Sequence, residues 1–174
     1  MSDEIDINIT QASSSELQSI RALDDATFIQ IDRWADNIWT GMLTTEESSV
    51  LVASSLSASV APSTASNGIS TTVCPSTAAP ILGFIAFERG GKIMKLGVAP
   101  TARRQGIGHA LLNAALQVFH KGKFRKFALA VSLHVEPTNA PALQLYTAHG
   151  FEKDAVVDNY YGPGRPAWRL LLEK

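Results

Sequence analysis

The sequence predicts an α/β fold in which helices cover both faces of a mixed sheet. Strand-like alternation of apolar and polar residues occurs near both ends of the chain, and apolar residues at helical spacing lie between the strands. In the middle, strand 92–98, helix 105–121 and strand 125–135 form a crossover unit, which joins two parallel strands. Hairpin-linked strands elsewhere make the sheet mixed.

The N-terminal part predicts a strand followed by a helix. Ile5, Ile7 and Ile9 alternate with polar residues, which is the period of a half-buried strand. The serines at 13–15 can cap a helix whose apolar positions recur at helical spacing as far as Thr27.

The next segment predicts a second helix at about residues 30–43 and a second strand at 49–56. Residues 57–79 follow, and they are rich in Ser, Thr and Ala and carry no charged side chain. Such a composition has little apolar bulk to offset the entropy lost on ordering. It predicts a flexible insertion between strands 2 and 3, with a modified or partner-binding loop as the alternative.

The central part predicts a hairpin and a long helix. Strand-like runs at 80–88 and 92–98 are joined by the glycine pair at 90–91, which suits a tight turn. Helical spacing of apolar residues then runs from Ile107 to near Gly122.

The strand before the last helix shows the most regular alternation in the chain, over residues 127–136. Its bulky and therefore buried face consists of Phe127, Leu129, Val131, Leu133 and Val135. The opposite face carries small residues until it ends in His134 and Glu136. These two side chains are therefore expected to point away from the core.

The C-terminal part predicts a capped helix and two short strands. Thr138 or Asn139 can cap the helix and Gly150 can end it. The final strands are expected at about 151–157 and 166–173. The order of elements is thus β, α, α, β, β, β, α, β, α, β, β.

Length and composition indicate one compact domain over residues 1–174 with a net charge of −1. This charge gives no reason to expect nucleic acid or a membrane as a partner. Cys74 is the only cysteine, and the four histidines are scattered, so neither a disulfide nor a metal site is predicted. No leader or membrane-spanning run occurs, and a cytoplasmic monomer or homodimer is expected.

The stretch VAPTARRQGIG places a phosphate-binding pattern at a strand-to-helix junction. The first N–H groups of a helix have no partner within it, and Gly106 and Gly108 leave that backbone accessible. Arg103 and Arg104 add two positive charges to that of the helix dipole. The stretch is neither a P-loop nor a dinucleotide-binding motif. An ordinary helix start with surface arginines is the alternative.

Two stretches resemble motifs of the GCN5-related N-acetyltransferases, the GNAT family. VAPTARRQGIGHALL resembles motif A, Arg/Gln-x-x-Gly-x-Gly/Ala, through Arg103, Gly106 and Gly108. NAPALQLYTAHGF resembles a later motif through Asn139, Ala142, Leu145, Tyr146, Gly150 and Phe151. The resemblance covers residues 80–174 closely. It implies a mostly antiparallel sheet that is splayed between strands 4 and 5.

The resemblance implies acetyl-CoA as cosubstrate. Its pyrophosphate would lie on the motif A amides, and its pantetheine arm would pair with the end of the fourth strand. The implied cofactor-binding residues are Leu96, Gly97, Val98, Arg103, Arg104, Gln105, Gly106, Ile107, Gly108, His109, Asn139 and Tyr146. Because two parallel strands must separate to leave backbone groups for the cofactor, a bulge or early strand ending is expected near Gly97.

The resemblance also implies catalytic residues for acetyl transfer to an amine. Tyr146 would protonate the departing thiolate, whereas helical spacing alone favours a core role for its ring. His134 would accept a proton from the amine, and the alternative is a hydrogen-bonded structural histidine. Glu136 lies on the same face as His134 and is the second candidate base.

The sequence does not determine which amine is the acceptor. Tyr160 and Tyr161 resemble the final hairpin of protein N-terminal acetyltransferases and predict peptide contacts. Phe28 and Ile31 are expected at the acceptor lip, although FIQIDRW does not match the Phe-Pro-Val lip of that branch. Lys92 also stands where that branch has a catalytic tyrosine. A peptide N-terminus is slightly preferred, with a small amine or a catalytically idle CoA-binding module as alternatives.

Overall fold

The computed structural model describes residues 6–56, 79–127 and 129–173, so nearly all of the predicted insertion at 57–79 lies outside the described residues. Seven strands and four α-helices occur within these ranges. In chain order they are β1 (Ile7–Gln11), α1 (Leu17–Thr27), α2 (Asp36–Thr44), β2 (Ser48–Ser55), β3 (Ile81–Glu88), β4 (Lys92–Val98), α3 (Ile107–His120), β5 (Ala130–Val135), α4 (Ala140–Ala148), β6 (Glu152–Val157) and β7 (Ala167–Glu173).

The strands form one mixed sheet in the order β1-β2-β3-β4-β5-β7-β6. Only the β4–β5 pair is parallel among the described strands, because α3 carries the chain back across the sheet between them. Helices α1 and α2 pack on one face, and α3 and α4 on the other. The predicted fold class and order of elements are confirmed.

Strand β3 explains why the sheet has two cores. Phe84 and Ala86 face α1 and α2, whereas Ile85 and Phe87 face α3, so residues 83–87 of this strand are buried. The ring of Trp39 meets that of Phe84 edge to face, with 5.0 Å between centroids. Burial of one such side chain stabilises the fold by about 1.5–3 kcal/mol.

The two parallel strands separate soon after they meet. The β4–β5 register includes only Lys92 with Ser132 and Ile93 with Leu133. Along the β3–β4 ladder, Met94 is the extra residue of a β-bulge, since its neighbours pair with consecutive residues of β3. Beyond the bulge β4 keeps its pairing with β3 but turns its other edge away from β5. The splay between strands 4 and 5 is confirmed.

The sequence predicts a bulge or an early strand ending near Gly97, and the bulge lies at Met94 instead. Strand β4 continues to Val98, and Gly97 serves packing instead, because a Cβ there would lie 2.9 Å from the ring of Phe84. The divergence from β5 begins at Met94, where the extra residue increases the local twist.

The second helix begins later than predicted, at Asp36. Residues 30–32 form a single 3-10 turn, and Arg33 and Ala35 have extended backbones. The backbone N–H of Trp34 donates to the Asp24 carboxylate at 2.9 Å, so it cannot make a helical bond. The side chain of Asp24 thus separates the 3-10 turn from α2.

Strand β5 is shorter than its alternating pattern predicts. Phe127 and Leu129 are 51% and 87% exposed, so the expected burial of these two side chains is wrong. Phe124 is buried against the rings of α3 and β3, and the Phe127 N–H donates to the Phe124 carbonyl at 3.0 Å. This turn delays strand pairing until Ala130.

Candidate functional site

A cleft of about 1050 Å³ opens where β4 and β5 separate. The bulge and the splay create it, since β4 leaves one edge uncovered beyond Ile93. Its walls come from the α1–α2 loop, the C-terminal ends of β4 and β5, the N-terminal parts of α3 and α4, and the β6–β7 hairpin.

One arm of the cleft ends at the N-terminus of α3. Gly106 caps this helix with φ +79°, and a Cβ on it would meet no atom within 4 Å, so the backbone is open to the cleft. The Ala110 N–H donates to the Gly106 carbonyl, which leaves the amides of residues 107–109 ahead of the first helical bond. Arg103 and Arg104 line the same arm. This arrangement can bind a phosphate group.

Most of the predicted cofactor-binding residues meet in this cleft. Those that line it are Leu96, Val98, Arg103, Arg104, Gly106, Ile107, Gly108, His109, Asn139 and Tyr146. Gly97 does not line it because it faces Phe84, and the Gln105 side chain donates to the Thr101 carbonyl. The Asn139 side chain caps α4 by accepting from the Ala142 N–H, as predicted.

Tyr146 belongs both to the core and to the cleft. Its ring meets Phe151 edge to face with 5.9 Å between centroids, and the residue is buried while it lines the cleft. Burial raises the pKa of its hydroxyl to about 12. The hydroxyl therefore stays protonated at neutral pH and can donate a proton.

His134 lies at the cleft end of β5 between the sheet and the β6–β7 hairpin. Its ring stacks on Tyr160 with 4.2 Å between centroids and 9° between planes. Burial lowers the pKa of His134, and the charges of Lys92 and Arg169 lower it further. Its buried Nδ1 has no hydrogen-bond partner in the described parts of the chain. The imidazole is therefore neutral near pH 7 and can accept a proton.

Tyr161 connects the hairpin to β5. Its hydroxyl donates to the His134 carbonyl at 3.1 Å, and its ring meets Tyr160 edge to face at 4.8 Å. Burial raises the pKa of both tyrosines. The pair therefore fixes the position of His134 as well as lining the cleft.

Phe28 and Ile31 lie on the opposite wall, in the α1–α2 loop, and both line the cleft. The ring of Phe28 is 6.4 Å from that of Phe84, which anchors this end of the loop to the sheet. Ile31 is 72% exposed and forms an apolar rim. All four predicted substrate-binding residues thus border the same cleft.

Sequence reasoning missed the bridge that Arg165 forms across the cleft. Its guanidinium donates to both oxygens of Asp32, at 3.0 and 2.7 Å, and to Glu136 at 3.1 Å. The bridge joins the β6–β7 hairpin to the α1–α2 loop and the end of β5. A lone cation in the turn YYGPGRP, beside the tyrosine pair, was the available signal.

Sequence reasoning also missed the buried ion pair of Lys95 and Asp24. The Lys95 Nζ lies 2.6 Å from Asp24 Oδ1, and the side chains are 6% and 2% exposed. Burial lowers the pKa of Lys95, and the Asp24 carboxylate opposes this shift. A lysine inside a central strand and an aspartate four residues after buried Ile20 were signals that such a pair exists.

Within the described ranges, no helix is long and apolar enough to cross a membrane. The same residues contain no group of three or more His, Cys, Asp or Glu side chains that could hold a metal ion.

Comparison with known proteins finds a match to one family model and several similar relatives. The model of the family described as "Acetyltransferase (GNAT) family" matches residues 60–151. An N-alpha-acetyltransferase of Sulfurisphaera tokodaii is 36% identical over 80 residues, which are 46% of each chain. N-alpha-acetyltransferase 50 of Danio rerio is 37% identical over 83 residues, or 47% of each chain. The chain spans about half the length of these relatives.

Solved structures agree with this architecture over almost the whole chain. Arabidopsis thaliana NAA60 in complex with a bisubstrate analogue superposes with a TM-score of 0.75 at 18% identity, over 97% of this chain and 99% of that one. The same protein in complex with acetyl-CoA gives a TM-score of 0.73 at 17% identity, over 97% and 98%. At this level of identity the similarity establishes the fold.

Proposed function

The chain belongs to the acetyltransferase (GNAT) family, and from that premise we propose that it is an enzyme that transfers an acetyl group from acetyl-CoA to a primary amine. The observation that carries the proposal is the meeting of three features in one cleft. These are the open N-terminus of α3 with its two arginines, the uncovered edge of β4, and the presence of both His134 and Tyr146 in the lining of the cleft.

The cleft fits acetyl-CoA by its polar groups. The amides of residues 107–109 and the guanidinium groups of Arg103 and Arg104 would hold the pyrophosphate, and the lack of a side chain at Gly106 leaves room for it. The free edge of β4 near Val98 would pair with the amides of the pantetheine arm. When bound, acetyl-CoA supplies the activated acetyl group.

The residues of the cleft supply the proton transfers. His134 would take the proton that the acceptor amine loses, directly or through water, as the new C–N bond forms. Tyr146 would give its proton to the sulfur as the C–S bond breaks, and a backbone N–H near Val98 would polarise the carbonyl. Glu136 is a weaker candidate for the base because its carboxylate already accepts a hydrogen bond from Arg165.

The acceptor we favour is the α-amine of a peptide or protein. The names of the two matched relatives support this acceptor, and so do the positions of Tyr160 and Tyr161 beside His134. A small amine is the second candidate, since Lys92 occupies the position of the tyrosine expected in the N-terminal branch. A screen of peptides with varied first residues beside small amines, read by release of free thiol, tests the proposal. Absence of acetyl-CoA binding would contradict it.

Two substitutions in the phosphate arm are expected to weaken acetyl-CoA binding. Gly106→Ala places a methyl group where the backbone should meet phosphate, and Arg103→Ala removes a charge. Each is expected to raise the Kd by about tenfold or more, or roughly 1.4 kcal/mol. Isothermal titration measures the effect.

Gly164→Ala is the matched control. Gly164 also has a positive φ, +72°, and open surroundings, but it does not line the cleft. Its variant carries the same backbone strain and should bind acetyl-CoA as the wild type does. Equal binding by all of these variants would place the phosphate site elsewhere.

Burial of His134 lowers its pKa most, and the charge of Lys92 is expected to shift the acid limb of activity further. Lys92 disfavours the protonated form of His134, so it lowers the pH at which His134 becomes protonated and kcat/KM falls. Lys92→Gln should therefore move this limb to higher pH, whereas Lys92→Arg should leave it in place. The pH profile of kcat/KM measures both. A limb that stays unchanged in Lys92→Gln and in His134→Gln would mean that the base is another group.

A further inference from the structure

The acceptor side of the cleft contains a complete binding site for an ammonium ion, and the chain fills it with its own Lys95. The Lys95 Nζ lies 2.6 Å from the Asp24 carboxylate and donates to the Asp32 carbonyl at 2.8 Å. The same atom lies 4.3 Å from the ring centre of Phe28, 5.1 Å from that of Trp34 and 5.9 Å from that of Trp39.

These groups match what an ammonium ion requires once it leaves water. An ammonium has three donors and no acceptor, and here a carbonyl accepts from it while a carboxylate forms an ion pair with it. Faces of aromatic rings attract the remaining charge, most strongly where water is excluded. The carboxylate is itself held by the Trp34 N–H at 2.9 Å and the Trp39 indole N–H at 3.3 Å. The site is therefore preorganised for one cation.

The location ties this site to the acceptor. Phe28, Trp34 and Lys95 all line the cleft, and Lys95 directly precedes Leu96 on the strand that the proposed function assigns to the acetyl donor. An acceptor with a second ammonium near the reacting amine would place that charge on this wall. The position that would receive it is already taken.

The other carboxylates of the cleft offer no alternative. Asp32 and Glu136 are the carboxylates among the described residues that line it, and both are bound by Arg165. A second cation on the acceptor would therefore meet Lys95 and Arg165 without a free carboxylate. Its water shell would be lost without replacement.

We propose that Lys95 is a specificity-determining residue that fills the cation subsite of the acceptor cleft, so that the protein acetylates amines with a single positive charge and discriminates against diamines and polyamines. This inference rests on the proposed acetyl transfer. It selects between the acceptors considered above, in favour of the peptide α-amine and of monoamines.

The test compares alkylamines with α,ω-diamines of matched length, from diaminopropane to diaminohexane, as acceptors. The wild type should have the higher kcat/KM for the monoamine of each pair. Lys95→Ala should raise the ratio of diamine to monoamine by about tenfold or more at one preferred chain length. That length measures the separation between the reacting amine and the vacated subsite.

Two variants control for charge and space. Lys95→Met removes the charge but fills the site, and the double variant Asp24→Asn with Lys95→Ala empties the site but removes its carboxylate. Neither should gain diamine acetylation. A gain in both would show that removal of the Lys95 ammonium is by itself sufficient for diamine acetylation, and it would overturn the subsite.

A second readout is independent of acetylation. Diaminobutane should raise the Tm of Lys95→Ala, because a ligand that binds only the folded state stabilises it, and it should leave that of the wild type unchanged. Selective stabilisation without acetylation of any amine would refute the proposed function and retain the subsite. If the wild type acetylates peptides but uses diamines as well as the matched monoamines, the proposed function stands and the subsite is refuted. This result does not require that Lys95→Ala folds.

Discussion

The Tyr146→Phe variant is expected to lose roughly 10²- to 10⁴-fold in kcat, which is the usual contribution of a general acid. The variant keeps the ring that packs against Phe151 and removes only the hydroxyl of this cleft-lining residue. Without that proton the thiolate must leave as an anion. Stopped-flow or steady-state release of free thiol measures kcat, and titration measures acetyl-CoA affinity, which should change far less than kcat.

The pH dependence gives the same residue a second test. Because burial raises the pKa of Tyr146 to about 12, its hydroxyl stays protonated across the accessible alkaline range, and it should produce no alkaline limb there. Phe151→Leu is the control for packing, since it disturbs the ring contact and keeps the hydroxyl. If Tyr146→Phe retains wild-type kcat across the pH series, the acid is another group.

The Asp24→Ala variant is expected to lose about 3–5 kcal/mol of unfolding free energy, as usual when one partner of a buried ion pair is removed. The substitution leaves the Lys95 ammonium buried without its carboxylate. It also removes the acceptor for the Trp34 and Trp39 N–H groups. Urea unfolding should show a lower midpoint. The α1–α2 loop should be destabilised as well, because Trp34 lies in it.

An exposed ion pair between α1 and α2 provides the comparison. Arg21 lies 2.7 Å from Asp36, and both side chains reach solvent. Arg21→Ala should cost less than about 1 kcal/mol because water screens such pairs. Replacing both buried partners, as Asp24→Asn with Lys95→Met, should recover part of the stability lost in Asp24→Ala, because the Asn carbonyl can still accept from the Trp34 and Trp39 N–H groups. Equal midpoints for Asp24→Ala and Arg21→Ala would contradict the assigned burial.

Local patterns were sufficient to predict the fold because each of its elements carries its own period. The apolar run of β3 and the helical spacing after Ile107 depend on neighbouring residues only, so a single sequence displays them. The predictions failed where a tertiary contact, which the local pattern does not show, determines the backbone conformation. Trp34 lies outside α2 because its N–H donates to Asp24, and Phe127 lies outside β5 because its N–H donates to the Phe124 carbonyl in a turn.

In the candidate site too, residues that are contiguous in sequence could be predicted, whereas contacts between distant segments could not. The glycines and arginines at the start of α3 are contiguous in sequence, so their chemistry was visible before the structure was known. The partners of Lys95 and Arg165 come from elements far apart in the chain, and no spacing rule relates Asp24 to a lysine of β4. Sequence analysis thus indicated the proposed donor arm and the candidate proton-transfer residues, and it missed the charges that line the proposed acceptor arm.

The Arg165 bridge also has a consequence for the order in which the protein is made. Asp32 and Arg165 are 133 residues apart, and a ribosome delivers the aspartate long before the arginine. A chain that has not yet reached residue 165 has Asp32 and Glu136 without the cation that neutralises them. In a nascent chain the two carboxylates of the acceptor wall therefore stay without their arginine until the β6–β7 hairpin folds against them. Activity should then appear late in synthesis, after most of the sheet has formed.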